Sequence, residues 1–197
     1  MKVTEKTVQN ALYRYLQRSG VWPIFPNMDC LTGYEADILT ITRSGYAHEY
    51  EIKLSLSDFK ADQKKRHKHA SLKDEFRTIP HPFHNPAFPD RHPATVNVLH
   101  DSTRTDGWGK LADQVYPERK PKRFWYVVHG FIVPPSEIPS YAGLLRYNPE
   151  VHWCHAFETV KPAPDLKTSV VDASRIQKAG QNMLYRYWSL RLKEKEA

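Results

Sequence analysis

Glu35-Ala-Asp-Ile-Leu-Thr-Ile-Thr42, then Arg43-Ser-Gly45, then Tyr46-Ala-His-Glu-Tyr-Glu-Ile-Lys-Leu54: these residues decide the fold. Ile38 to Thr42 is rich in β-branched residues and reads as a buried strand. Arg43-Ser44-Gly45 is a hairpin-type turn. The return segment, Tyr46 to Leu56, alternates: Glu49, Glu51 and Lys53 share one face, Tyr50, Ile52 and Leu54 the other. An antiparallel pair joined this way brings Asp37, at the entrance of the first strand, beside the Glu51–Lys53 face.

Upstream, Thr4 is placed to cap a helix from Glu5 to about Arg18, with Val8, Ala11, Leu12, Tyr15 and Leu16 as its apolar stripe. Ser19-Gly20 stops it, Val21 to Phe25 is a short apolar run interrupted by Pro23, and Pro26 to Asp29 reads as a turn. Downstream, Ser57 is a cap for a second helix on which Lys60, Lys64 and Lys68 recur every four residues and so share a face. Residues 78–122 hold seven of the fifteen prolines and four histidines, and read as an extended Pro/His-rich loop insertion with a short helix near Trp108 to Val115. Arg123 to His129 is a buried strand, Ser136 to Ile138 a short helix, and Gly143–Tyr147 and Val151–Val160 further strands. The last helix runs from about Ala173 to Leu192, with Met183, Tyr185, Tyr187 and Trp188 expected in the core. The expectation is one α/β domain over residues 1–197, a central mixed sheet flanked by helices.

Charge points to the partner. Lys and Arg number 29 against 22 Asp and Glu, a net +7, which suits a polyanion. The longest apolar run, Phe124 to Val128, is far too short to span a bilayer, and the opening MKVTEKTVQN has no apolar stretch of signal-peptide type. No membrane partner and a cytoplasmic location are therefore expected; the bacterial or phage-infected cell as its setting is implied only by the resemblance given below. Cys30 and Cys154 make no metal or disulfide spacing and are expected reduced.

The acids carry the chemistry. Two carboxylates a few ångströms apart repel unless a cation lies between them, and a hard divalent ion with oxygen ligands is the usual answer. Acid-x-Lys occurs five times in the chain, but only Glu51–Lys53 sits in an alternating strand with a second acid on the strand before it. Glu35-Ala-Asp37, then Glu49-Tyr-Glu51-Ile-Lys53, then a Lys-rich helix, resembles the PD-(D/E)XK nuclease superfamily, which has the restriction-endonuclease-like fold. The resemblance covers Glu5 to His69, and the strand at Arg123–His129 suits its fourth strand; Ala36 stands where the family name has proline.

The resemblance implies a restriction-endonuclease-like core and a small phage- or repair-type deoxyribonuclease. Asp37, Glu51 and the Ile52 carbonyl would ligate Mg²⁺, with Mn²⁺ as substitute, and Lys53 would serve the attacking water. Glu5, Glu35 and Glu49 are possible additional acids, and Lys60, Lys64 and Lys68 are read as phosphate contacts on DNA. The rival expectation is a non-cleaving DNA-structure-binding protein, or an accessory subunit of a DNA-processing complex, with self-association open. His81-x-x-His84 with His92 has no cysteine partner and no fixed spacing, so packing of the loop is a plainer reading than zinc. Phe83, Phe88, Trp108 and His92 are candidates for stacking on bases, again with packing as the commoner explanation.

Overall fold

The computed structural model describes residues 3–29, 34–81, 86–87, 94–100, 114–116 and 119–196. Thr4 Oγ1 accepts from the Thr7 N–H and Thr7 Oγ1 accepts from the Thr4 N–H, a reciprocal cap that starts helix α1 (Glu5–Arg18) where the sequence indicates. There follow β1 (Ile24–Met28), β2 (Ala36–Ile41), β3 (Ala47–Lys53), α2 (Leu56–Asp62) and α3 (Arg66–Lys73). The chain continues through β4 (Phe76–Pro80), β5 (Thr95–Leu99), β6 (Gln114–Val115), β7 (Arg123–Val128), β8 (Ala142–Tyr147), β9 (Phe157–Lys161) and α4 (Ala173–Glu196).

Six strands form a mixed central sheet in the order β1-β2-β3-β7-β8-β9. Strands β3, β7 and β8 run parallel, while β1, β2 and β9 are antiparallel to their neighbours. Helices flank both faces. On one, Val8, Leu12 and Leu16 of α1 bury against Ile38, Tyr50, Ile52, Val127 and Leu145. On the other, Phe59 of α2 and Leu72 of α3 meet Phe124, Tyr126 and Val128, while Ile176, Ala179 and Met183 of α4 cover Phe25, Leu39 and Ile41. Because β2 opposes β3, its first residues share a sheet edge with the last residues of β3, β7 and β8. That edge carries Asp37, Lys53 and Tyr147, the last two tied together by the His129 N–H to the Lys53 carbonyl (3.3 Å) and by His129 Nδ1, 3.2 Å from the Tyr147 carbonyl.

Several expectations are corrected. Pro26 belongs to β1 rather than to a turn, which an edge strand tolerates because one of its sides has no ladder partner. Ser55, not Ser57, caps α2, accepting from the Asp58 N–H at 3.1 Å. The loop insertion contains an antiparallel sheet, β4-β5-β6, built on the alternating Thr95-Val-Asn-Val-Leu99. Gln114–Val115 is strand rather than helix; Phe83, His84, Phe88, His92 and Trp108 lie outside the described residues, as does Cys30, while Cys154 is free. A 3₁₀ turn at Trp153–His155 delays the last strand to Phe157. Tyr185, Tyr187 and Trp188 are exposed, because the apolar contact of α4 with the sheet ends at Met183; beyond it Arg186 donates to the Asn27 carbonyl of β1 at 2.6 Å. No helix among the described residues is long and apolar enough to cross a membrane.

The parallel β7/β8 pair demands a glycine. Gly143 lies opposite Trp125, and a Cβ there would come within 2.5 Å of the indole and 2.6 Å of the Ala163 backbone nitrogen. Gly143→Ala is therefore expected to destabilise the fold by about 1–3 kcal/mol through overpacking, read as a lowered urea midpoint with unchanged slope.

Candidate active site

Register assembles the site. Ile38 lies opposite Tyr50 in the antiparallel β2/β3 ladder, so Asp37 takes the next position, opposite Glu51 and on the same face. The Asp37 carboxylate reaches across to β3, where its Oδ2 accepts from the Ile52 N–H at 2.6 Å. Behind it, Gln9 of α1 donates at 2.6 Å to the Asp37 carbonyl and at 2.6 Å to Asn27 Oδ1, locking the helix to the start of β2. Burial and then the charge of Glu51 push the Asp37 carboxyl up to about 7, against the Ile52 N–H and Lys53, which pull it down. Glu5, exposed in the first turn of α1, adds a smaller upward push.

Glu51 is held from two sides. Lys53 Nζ donates to its Oε2 at 3.0 Å, and Lys68 Nζ bonds its Oε1. Lys68, only 1% exposed, also lies 2.8 Å from Glu49 Oε1. Lys53 extends the cluster to Asp62 at 3.6 Å, and Asp62 in turn meets Lys65 (2.7 Å), the Tyr126 hydroxyl (3.1 Å) and His69 (3.4 Å). His69 is fixed by the Tyr141 hydroxyl at 2.7 Å. Glu49, Glu51, Lys53, Asp62, Lys68 and His69 are all buried.

The charges set one another. Burial alone would lower Lys53 and Lys68, but Glu51 and Asp62 around the first, and Glu49, Glu51 and Asp62 around the second, outweigh it and keep both firmly protonated. Burial would raise Asp62; the His69 hydrogen bond and the charges of Lys68 and Lys53 hold it well below the usual carboxylate range. Burial pushes Glu49 up, only partly opposed by Lys68, and its Oε2 has no hydrogen-bond partner among the described residues.

Asp37, Glu51 and Lys53 thus come together as the sequence indicates. The lysine face does not. Asp62 ends α2, residues 63–65 turn, and Arg66 begins α3, so Lys60, Lys64 and Lys68 no longer share a side. Lys60 and Lys64 are exposed, whereas Lys68 points inward as the counter-ion of two glutamates and has no surface to offer a phosphate. Glu35 is exposed and Glu49 sits inside the cluster. Sequence reasoning missed Gln9, Asp62, His69, Tyr126 and Tyr141. Only Tyr126 had a signal, its alternation with Phe124 and Val128 in β7; the others depend on contacts between residues distant in the chain.

Two carboxylates facing each other across a ladder are oxygen donors of the kind a hard divalent cation takes. Asp37 and Glu51 are the pair so placed; among the described residues no three of His, Cys, Asp and Glu gather into a metal-holding group.

No protein-family model matches the chain, and no curated protein matches it. Among solved structures it is similar to the SPO1766 protein of unknown function from Silicibacter pomeroyi, at 16% identity and a TM-score of 0.55, over 98% of this chain and 96% of that one. The likeness is one of fold.

Removing Lys68 leaves Glu49 and Glu51 buried without their shared counter-ion. Lys68→Met is expected to cost about 3–5 kcal/mol in urea unfolding, while Lys60→Ala and Lys64→Ala stay within about 0.5 kcal/mol of wild type. A second outcome follows from Asp37. Its carboxyl in the metal-free folded protein titrates higher than in the unfolded chain, so the fold binds the proton more tightly and loses stability as pH rises from about 4 to about 7. Asp37→Asn removes that loss. In EDTA the variant is expected to gain stability over wild type at pH 8, on the order of 1–4 kcal/mol, and little at pH 4.

Proposed function

We propose that this chain is a divalent-metal-dependent deoxyribonuclease with a restriction-endonuclease-like core. The observation that carries the reading is the register of β2 against β3, which sets Asp37 opposite Glu51 with Lys53 two residues on, along the same face. The net charge of +7 suits a DNA substrate.

The donor set suits the ion. Asp37, Glu51 and the Ile52 carbonyl would hold it, and a cation between the two carboxylates relieves the repulsion that raises Asp37. Held there, Mg²⁺ or Mn²⁺ would supply Lewis-acid chemistry, offsetting charge on the scissile phosphate and acidifying a nearby water. The chain's own residues do the rest. Lys53, kept protonated by Glu51 and Asp62, does not serve as a general base; its ammonium orients the attacking water and offsets charge developing on the phosphate. Asp62 is a positioning residue, aiming Lys53 with its Oδ1 while Tyr126 and His69 fix its Oδ2. Gln9 holds the Asp37 backbone against α1.

One observation favours the second reading, a DNA-binding protein that does not cut. Each oxygen of Glu51 already accepts from a lysine, so an ion shared with Asp37 has to approach a carboxylate whose charge two ammonium groups largely offset. A cleavage panel over single-stranded, duplex, flap and four-way DNA, with Mg²⁺ or Mn²⁺ against EDTA, separates the two. Metal-dependent cutting is expected. Lys53→Ala should leave metal affinity nearly intact while lowering cleavage by about two orders of magnitude or more, and Asp37→Asn should lose both. Wild-type rates in Lys53→Ala would remove the mechanism even if the protein cuts DNA.

A further inference from the structure

A groove of about 360 Å³ runs along the outer flank of α1, walled on one side by Lys6, Thr7, Asn10 and Arg14 and on the other by Tyr147 and Trp153. It lies at the functional edge of the sheet, since Tyr147 is the last residue of β8, parallel to β3 whose last residue is Lys53. Helix α1 separates groove and acids: Glu5 and Gln9 serve Asp37 on one flank, and Thr7, Asn10 and Arg14 line the groove on the other.

The chemistry of the walls is that of a strand-binding channel. Lys6 and Arg14 are exposed, and among the described residues neither has an acid within ion-pair distance, so their charge is free for an anion. Trp153 keeps 40% of its surface exposed although it is anchored, with the Arg18 guanidinium 5.2 Å from its ring centroid and the His152 ring 5.5 Å away. Asn10 adds a hydrogen-bonding amide. An aromatic platform beside unpaired cations is how single strands are bound without sequence preference. The volume is at the lower end for a pocket that takes a drug-sized molecule, which is the scale of a nucleotide and not of a duplex.

We propose that this groove holds an unpaired stretch of DNA, with a base stacked on Trp153 and backbone phosphates against Lys6 and Arg14. The identity of the occupant rests on the reading of the chain as a DNA-processing protein, but binding at the groove does not require cleavage. The groove lies on the α1 face of the sheet and the Glu51 and Lys53 side chains on the α3 face, and the two meet at the strand ends that carry Tyr147, Lys53 and Asp37. The substrate class that follows is DNA with a few unpaired nucleotides beside the scissile bond: a single strand, an overhang or a flap.

Fluorescence anisotropy of labelled oligothymidylate in EDTA tests this without turnover. Wild type is expected to bind the single strand more tightly than a duplex of equal length. Trp153→Ala should weaken binding about tenfold or more, and Trp153→Phe should recover much of it. The double variant Lys6→Ala/Arg14→Ala should make the salt slope shallower by about 0.7 for each residue, whereas the charge-matched Lys167→Ala/Lys178→Ala leaves it unchanged. Both lysine and arginine changes are at exposed side chains, so the slope remains readable even if Trp153→Ala fails to fold. Groove variants that bind like wild type, no binding of oligothymidylate by wild type, or tighter binding of duplex would each overturn the proposal. If oligothymidylate binds through the groove while no substrate is cut with Mg²⁺ or Mn²⁺, the groove stands and the hydrolase reading alone falls.

Discussion

One buried ammonium organises the acidic face of the sheet. Glu49 and Glu51 stand on the same side of β3, under α3, and neither reaches water. Two carboxylates in that position cost several kcal/mol each unless paired. Lys68 supplies the pairing for both, 2.8 Å from Glu49 and bonded to Glu51. Its placement explains the local chain path. A lysine that must descend onto β3 cannot sit on a helix continuing straight from Phe59, whose own ring is already packed against Tyr126 with centroids 4.8 Å apart. The helix therefore breaks after Asp62, and the break puts Asp62 where it can meet Lys53, Tyr126 and His69.

That break also marks the boundary of what the sequence reveals. The β2–turn–β3 hairpin was legible because strand alternation, a Gly-containing turn and burial all agree locally, and α1 because its cap and stripe do. Residues 60–69 contain no Gly or Pro to end a helix, so no breaker in the sequence marks the break. The decision to end it is made by Glu49 and Glu51, some ten to twenty residues earlier in the chain, through a contact that no window of sequence contains. The periodicity of Lys60, Lys64 and Lys68 was real as a pattern and wrong as a surface. The proline-rich region failed for the opposite reason: Thr95-Val-Asn-Val-Leu99 alternates as a strand should, but its prolines and histidines outweighed five residues of pattern. On α4, the hydrophobicity of the aromatics at 185, 187 and 188 suggests core, but hydrophobicity says nothing about where the sheet beneath a helix ends.

The central sheet gives the chemistry its location. Open sheets with parallel central strands place their ligands beyond the carboxyl ends of those strands. Here β3, β7 and β8 all end at one edge, and β2 begins there. The edge gathers Asp37, Lys53, His129 and Tyr147 from four strands or strand ends, and α1 adds Glu5 and Gln9 on one flank and its basic groove on the other. The same helix thus borders both the acids and the channel proposed for DNA. A rigid α1, locked by Gln9 to the backbone of β2, keeps the distance between them fixed.

Charge within the cluster bears on how a site so rich in lysine could take the proposed cation. Asp37, Glu49, Glu51 and Asp62 are four carboxylates; Lys53, Lys65 and Lys68 are three ammonium groups within 4 Å of them. One negative charge is left over, and it does not fall on Asp62, whose partners hold it well below the ordinary range. The upward push falls on Asp37 and Glu49. Of these two, Glu49 is sealed beneath α3, whereas Asp37 is only half-buried at the sheet edge. The uncompensated charge is therefore accessible at one place, and that place lies opposite Glu51. A proton answers it in the free protein; on the proposed reading a divalent ion would answer it better, and would bring the positive charge that a phosphate needs in order to approach four acids. On the proposed reading, the lysines do not replace the metal but bring the cluster close to neutrality, so that a single ion is enough to turn an acidic edge into one that receives DNA.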